Sequence, residues 1–135
     1  KEVGIGLDIR TYEWGTFYND IKTGNFQLYS LSWIGIVDPD IYYTIFHSDM
    51  VPPKGNNRNR YKNAEIDRLV IEGQKVLSNK DRKKIYSKVQ KIAAEELPYI
   101  SLWHPKNVAA MRRNVKGFVL FPDGDFSSFK NIYKE

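Results

Sequence analysis

A tryptophan, a glycine and two carboxylates fall within eight residues in Trp33-Ile34-Gly35-Ile36-Val37-Asp38-Pro39-Asp40. The segment leaves an apolar, aromatic run from Phe26 with strand composition and enters a helical pattern at Ile41. Asp38 can accept hydrogen bonds from the free N–H groups of that helix, and Pro39 suits the first helical position, where its missing N–H is no loss. Two acids here can complement the helix dipole, or they can receive a cationic ligand. Asp38 reads as structural, and Asp40 stays open between the two roles. Trp33 reads equally as core or as a stacking wall for a ligand. A strand end, Gly35 and a helix N-terminus meeting beside an aromatic ring describe the place where open α/β sheets hold small ligands.

A second polar cluster runs from Asn56 to Asp67, NNRNRYKNAEID. Its side chains suit loop caps and surface charges. Arg58 can also pair bidentately with a carboxylate of the protein or of a ligand, which a lysine does less specifically. Other chemistry is poorly represented. The two histidines, His47 and His104, lack metal-ligand spacing, so no metal and no cofactor are expected. Gly4 and Gly6 make only half of a dinucleotide fingerprint, and there is no nucleophile elbow or P-loop. His47, Ser48 and Asp49 are sequence neighbours, which seldom face one another as a catalytic set. A non-enzymatic protein is expected.

Composition bounds the rest. With 135 residues, 41% hydrophobic and 27% charged, the chain has room for one core in an aqueous protein. No apolar run reaches the roughly 20 residues that span a bilayer, and with no cysteine there are no disulfides. The net charge of +5 raises nucleic acid as a partner. The basic residues concentrate in Lys75 to Lys91 and Arg112 to Lys116, where a solvated helix face accounts for most of them. Nucleic acid is not the expected partner, and a basic module binding nucleic acid or an acidic protein is the alternative function. The first residues show neither an initiator methionine nor a signal peptide, so the chain is expected to be a piece of a longer protein.

The elements that position these residues follow from periodicity. Val3, Ile5, Leu7 and Ile9 alternate with polar or glycine positions, which predicts a strand. Trp14, Phe17, Tyr18 and Ile21 lie on one face of a short helix that Gly24 ends. With the run from Phe26 these make a βαβ unit with parallel strands. Asn63 caps a helix carrying Ile66, Leu69, Val70, Gly73, Val76 and Leu77. Ser78 and Asp81 form a capping box for a second helix that buries Ile85, Val89, Ile92 and Ala93 and stops at Pro98. The two helices form an antiparallel hairpin. Short strands are predicted at Tyr99–Trp103, Val108–Met111 and Phe118–Phe121.

Three motifs in order carry a family likeness: G-N-F-Q-L leading to S-W-I-G and D-P-D; N-R-N-R-Y-K-N-A-E-I-D from Asn57; and the helix from Asp81 with V-K-G-F at Val115. Together they resemble the C-terminal part of the oligopeptide/dipeptide-binding proteins of bacterial ABC importers. The resemblance implies an α/β fold, one lobe-like portion of a type II periplasmic binding protein: the βαβ unit and helical hairpin in 1–97, then a hinge-crossing segment with short strands in 98–135. It implies a periplasmic or extracellular location, with a cell-envelope lipoprotein among the possibilities, and two partners, a small solute or peptide and a membrane permease. Trp33, Ile34, Gly35, Ile36, Asp38 and Asp40 would line the ligand cleft. Asn57, Arg58 and Tyr61 would organise the neighbouring loop against the D-P-D turn. Peptide-binding members carry an acidic residue after W-x-G to meet a terminal ammonium; Ile36 and Val37 stand there instead, which disfavours a free-amine peptide unless Asp38 or Asp40 substitutes.

Overall fold

A computed structural model describes residues 3–135. Four helices build the interior. Helix α1 (Trp14–Thr23) starts at Glu13, whose carboxylate accepts the Gly15 N–H at 2.9 Å. It ends at Gly24 in the left-handed conformation, φ 83°, with its N–H on Asp20 O. A Cβ at Gly24 would fall 2.3 Å from Arg60 Nη1, so both backbone and space require glycine. Ile21 is the fully buried residue of this helix.

Helix α2 (Ile41–Phe46) buries Ile45 and Phe46 against the hairpin of α3 (Ala64–Lys75) and α4 (Asn79–Glu96). The caps are those the sequence announces. Asn63 Oδ1 accepts the N–H groups of Glu65 and Ile66 at 2.9 and 3.0 Å, an arrangement that contributes about 1 kcal/mol. Ser78 Oγ accepts the Asp81 N–H at 3.4 Å. Asp81 does not return the bond as a full capping box would; its carboxylate takes Lys84 at 2.8 Å instead. Leu97 closes α4 in the left-handed region, φ 51°, just before Pro98.

Ile66, Leu69, Val70, Ile85, Tyr86 and Val89 interlock with α2 to form the core, with Ile92 and Ala93 at its margin. Each aliphatic side chain removed from water there stabilises the fold by about 1.5–3 kcal/mol. Tyr86 joins the stripe expected for α4. Leu77 leaves the stripe expected for α3: the helix ends at Lys75, Val76 makes the last core contact, and Leu77 is 97% exposed.

The strands differ most from expectation. Residues 5–13 and 28–34 run without a ladder, so the βαβ sheet is not formed among the described residues. Val3, Ile5, Leu7 and Ile9 are 67–80% exposed. Alternation makes a strand competent to bury one face, but the ladder needs a neighbouring strand and a layer to cover it. The expected strands at Tyr99–Trp103, Val108–Met111 and Phe118–Phe121 are likewise unpaired. The ladder that does form is short: β1 (Val115–Lys116) pairs antiparallel with β2 (Tyr133–Lys134). Between them Phe118, Phe126 and Phe129 cluster beside a 3-10 turn, Ser127–Asn131, which gives the aperiodic aromatic tail its role.

Candidate functional site

The D-P-D turn is built around Arg82 of α4. The guanidinium reaches both Asp38 oxygens, Nη2 to Oδ1 at 2.7 Å and Nη1 to Oδ2 at 3.1 Å, and Asp40 Oδ1 at 3.0 Å. Its Nε donates to Gly73 O at 3.2 Å, joining the turn to α3 as well. The Tyr86 hydroxyl donates to Asp40. Asp38 does not cap the helix directly: it accepts the Asp40 N–H at 2.9 Å, and the first N–H groups of α2 go to the carbonyls of Asp38, Pro39 and Asp40. Pro39 therefore sits in the turn before α2 rather than at its first position. The sequence reading overlooked Arg82. Its signal was available, as an arginine within a lysine-rich helix, where bidentate geometry is the reason to use it.

The pairing has a pH consequence. The Arg82 guanidinium, and then the Asp40 N–H, hold the Asp38 carboxyl below its ordinary range. A carboxyl depressed in the folded state contributes stability above its unfolded value, and that contribution disappears as pH falls through the folded value. The melting temperature should therefore drop on acidification from about pH 5 to below pH 4. Asp38→Asn should flatten part of that dependence in thermal melts, and a variant with the wild-type acid slope would contradict the assignment.

Trp33 is not in the core. It is 40% exposed, and Arg58 lies over its ring at 4.9 Å from guanidinium carbon to ring centroid. The same guanidinium lies 5.4 Å from the Tyr18 centroid, so aromatic rings of α1 and of the rim both contact one cation. Arg58 is only 4% exposed. Its Nη2 donates to Asn56 Oδ1 at 3.2 Å, and its Nε is buried with no acceptor. Lys22 lies over the same Tyr18 ring, beside a recess of about 410 Å³ also bordered by Lys54 and Pro52.

Gly35 turns the rim with φ 73° and donates its N–H to Asp123 O at 3.3 Å. No atom lies within 4 Å of a Cβ built there, so its requirement is conformational. Ile34 meets the same turn near Gly124. Ile34 and Val37 are each 79% exposed and Ile36 is 42% exposed. The rim from Trp33 to Val37 is thus an open apolar edge.

Asn57 holds the loop behind it. Buried to 1% exposure, it donates to His47 O and Tyr61 O at 3.1 and 2.7 Å and accepts the Tyr61 N–H at 2.9 Å. Tyr61 sets its ring edge on Phe46 and donates its hydroxyl to Glu96 at 2.5 Å. Burial, then the bond to Glu96, pushes that phenol up to about 12. The loop is therefore organised against the end of α2 and the end of α4. The expected docking of Asn57, Arg58 and Tyr61 on the D-P-D turn is replaced by Arg82. His47, Ser48 and Asp49 face different partners: His47 Nδ1 accepts the Asp49 N–H, and the Ser48 N–H goes to Asp67. No three potential metal ligands gather among the described residues, and no described helix is long and apolar enough to cross a membrane.

The fold is that of a lobe portion of a type II periplasmic binding protein. The homologues are oligopeptide- and dipeptide-binding proteins. The oligopeptide-binding protein AppA of Bacillus subtilis is 32% identical over 127 residues, 93% of this chain and 23% of the relative. The probable di/tripeptide-binding protein 5 of Pseudomonas aeruginosa is 33% identical over 129 residues, 93% of this chain and 24% of the relative. Among solved structures, the ABC transporter-associated periplasmic binding protein DppA of Helicobacter pylori, in complex with the peptide STSA, matches 99% of this chain and 27% of its own. Its TM-score is 0.84 and its identity 28%. No family model matches the chain. The chain spans about a quarter of the length of these relatives. These relatives are peptide-binding proteins.

Proposed function

We propose that the chain supplies part of one lobe of the substrate-binding component of an ABC-type importer, which takes up a peptide or other small solute outside the cytoplasmic membrane and delivers it to a permease. The single observation behind this is the near-complete overlay on a periplasmic binding protein at a TM-score of 0.84. In this reading residues 1–97 carry the ligand rim and 98–135 cross toward a second lobe. Trp33, Ile34, Gly35 and Ile36 face the solute. Asp38 and Asp40 set the rim's position through Arg82, whose guanidinium holds both carboxylates and offsets one of their two charges. Asn57, Arg58 and Tyr61 support the loop behind Trp33.

Affinity in a two-lobed receptor comes from enclosure by both jaws. Calorimetric titration of the 135-residue chain with dipeptides should give binding no tighter than millimolar, about −4 kcal/mol. Submicromolar binding by the chain alone would overturn the two-jaw reading. A DNA duplex shifted by the chain at low salt and released as salt rises would replace it with the basic-module alternative.

A further inference from the structure

Arg58 poses a problem that the fold leaves open. A guanidinium removed from water needs a counter-charge or a full set of acceptors. Among the described residues the Arg58 guanidinium has one hydrogen bond, to Asn56 Oδ1, and no ion pair, and its Nε–H is buried without an acceptor. The rings of Tyr18 and Trp33 offset only part of that cost. The acids of the adjoining rim cannot help. Asp38 and Asp40 contact Arg82 rather than Arg58, keeping one net negative charge between them, and Ile36 and Val37 carry none. From Trp33 to Val37 the rim therefore combines one buried, under-satisfied cation with no carboxylate.

We propose that the Trp33 rim recognises its solute through a carboxylate, with Arg58 as the counter-charge, and discriminates against a solute that would place an ammonium there. This rests on the cleft reading of Trp33 given above and adds the charge class of the ligand to it. An ammonium beside Trp33 would meet like charge from Arg58, and the acids next along the chain, Asp38 and Asp40, are engaged by Arg82 and Tyr86. A carboxylate gains from the same field, which the low-dielectric aromatic surroundings screen weakly. Lys22, on the same Tyr18 ring, reinforces the sign.

The test is a set of nuclear magnetic resonance titrations of the isotopically labelled chain, following the Trp33 indole N–H and the Arg58 Nε–H. The probes are N-acetyl-Ala-Ala, Ala-Ala-amide, the doubly blocked N-acetyl-Ala-Ala-amide, and acetate. N-acetyl-Ala-Ala should move both resonances saturably, with about tenfold stronger apparent binding than Ala-Ala-amide. Arg58→Gln should remove the difference between these two probes. Arg58→Lys, which keeps the charge, should retain it, with circular dichroism confirming the fold of each variant. Equal or stronger binding of Ala-Ala-amide overturns the proposal. If all three peptides move Trp33 alike, the cleft survives and the charge preference falls. If none moves Trp33 even at concentrations well above the millimolar range expected of one jaw, both fall. Acetate moving Arg58 as strongly as N-acetyl-Ala-Ala does, with Trp33 unmoved by either, would assign the missing acceptor to a carboxylate elsewhere in the protein and also overturn the proposal.

Discussion

Asn57→Ala should lower the unfolding free energy by about 3 kcal/mol, seen as a reduced denaturant midpoint at unchanged slope. The side chain makes three hydrogen bonds at 1% exposure, and each partner is a backbone group of the loop it pins. Truncation leaves the His47 and Tyr61 carbonyls and the Tyr61 N–H short of a partner, at roughly 1–3 kcal/mol for each that water cannot reach. Asn57→Asp should fail nearly as badly despite its equal size. It keeps an acceptor for the Tyr61 N–H but turns an oxygen toward two carbonyls. A midpoint for either variant within error of the native chain would show that the loop is held by something else. Because Arg58 follows directly, the same variants should also loosen the guanidinium from Trp33, read as greater quenching of that tryptophan by acrylamide.

The second large effect is expected at Gly73. A Cβ there would lie 2.6 Å from Tyr86 Cζ and 2.8 Å from its hydroxyl oxygen. Alanine in a helix interior gains about 1 kcal/mol over glycine, so the sign depends on whether Tyr86 can yield. It cannot yield cheaply, being 3% exposed and bonded through its hydroxyl to Asp40. Overpacking of this kind costs about 1–3 kcal/mol, so Gly73→Ala should be net destabilising, and Gly73→Leu should cost about 3 kcal/mol. Pairing Gly73→Ala with Tyr86→Leu should recover part of the loss, a non-additivity that urea melts of the four-member cycle would measure. Strict additivity, or a stabilised Gly73→Ala, would show that the interhelical contact is looser than the geometry indicates.

How much of this was legible in the chain depends on how local each signal is. The caps at Asn63 and Ser78, the glycine stop at Gly24 and the apolar stripe from Ile66 to Val70 are decided within one or two turns. They form as read. The hairpin follows because those stripes have nothing else to cover them. The D-P-D turn was legible as a turn, but its partner lies on another helix: nothing near Asp38 points to Arg82, and only the choice of arginine among lysines hints at it. The same limit applies to Trp33, whose residue type fits core and wall equally; its place was decided by Arg58 and Tyr18, distant in sequence. The expected strands are unpaired among the described residues for a related reason. Alternation at Val3 to Ile9 reports a competence to pair, and pairing also needs a neighbouring strand and a layer to cover it.

That unmet competence has a practical side. A row of N–H and C=O groups in no ladder among the described residues, bearing Val3, Ile5, Leu7 and Ile9, with Ile100, Leu102 and Trp103 in similar exposure, is a template for another polypeptide. In a tube containing only this chain, the nearest available polypeptide is a second copy. Self-association through those two stretches is therefore the behaviour to expect as concentration rises, and it would begin far from the helices that hold the rim.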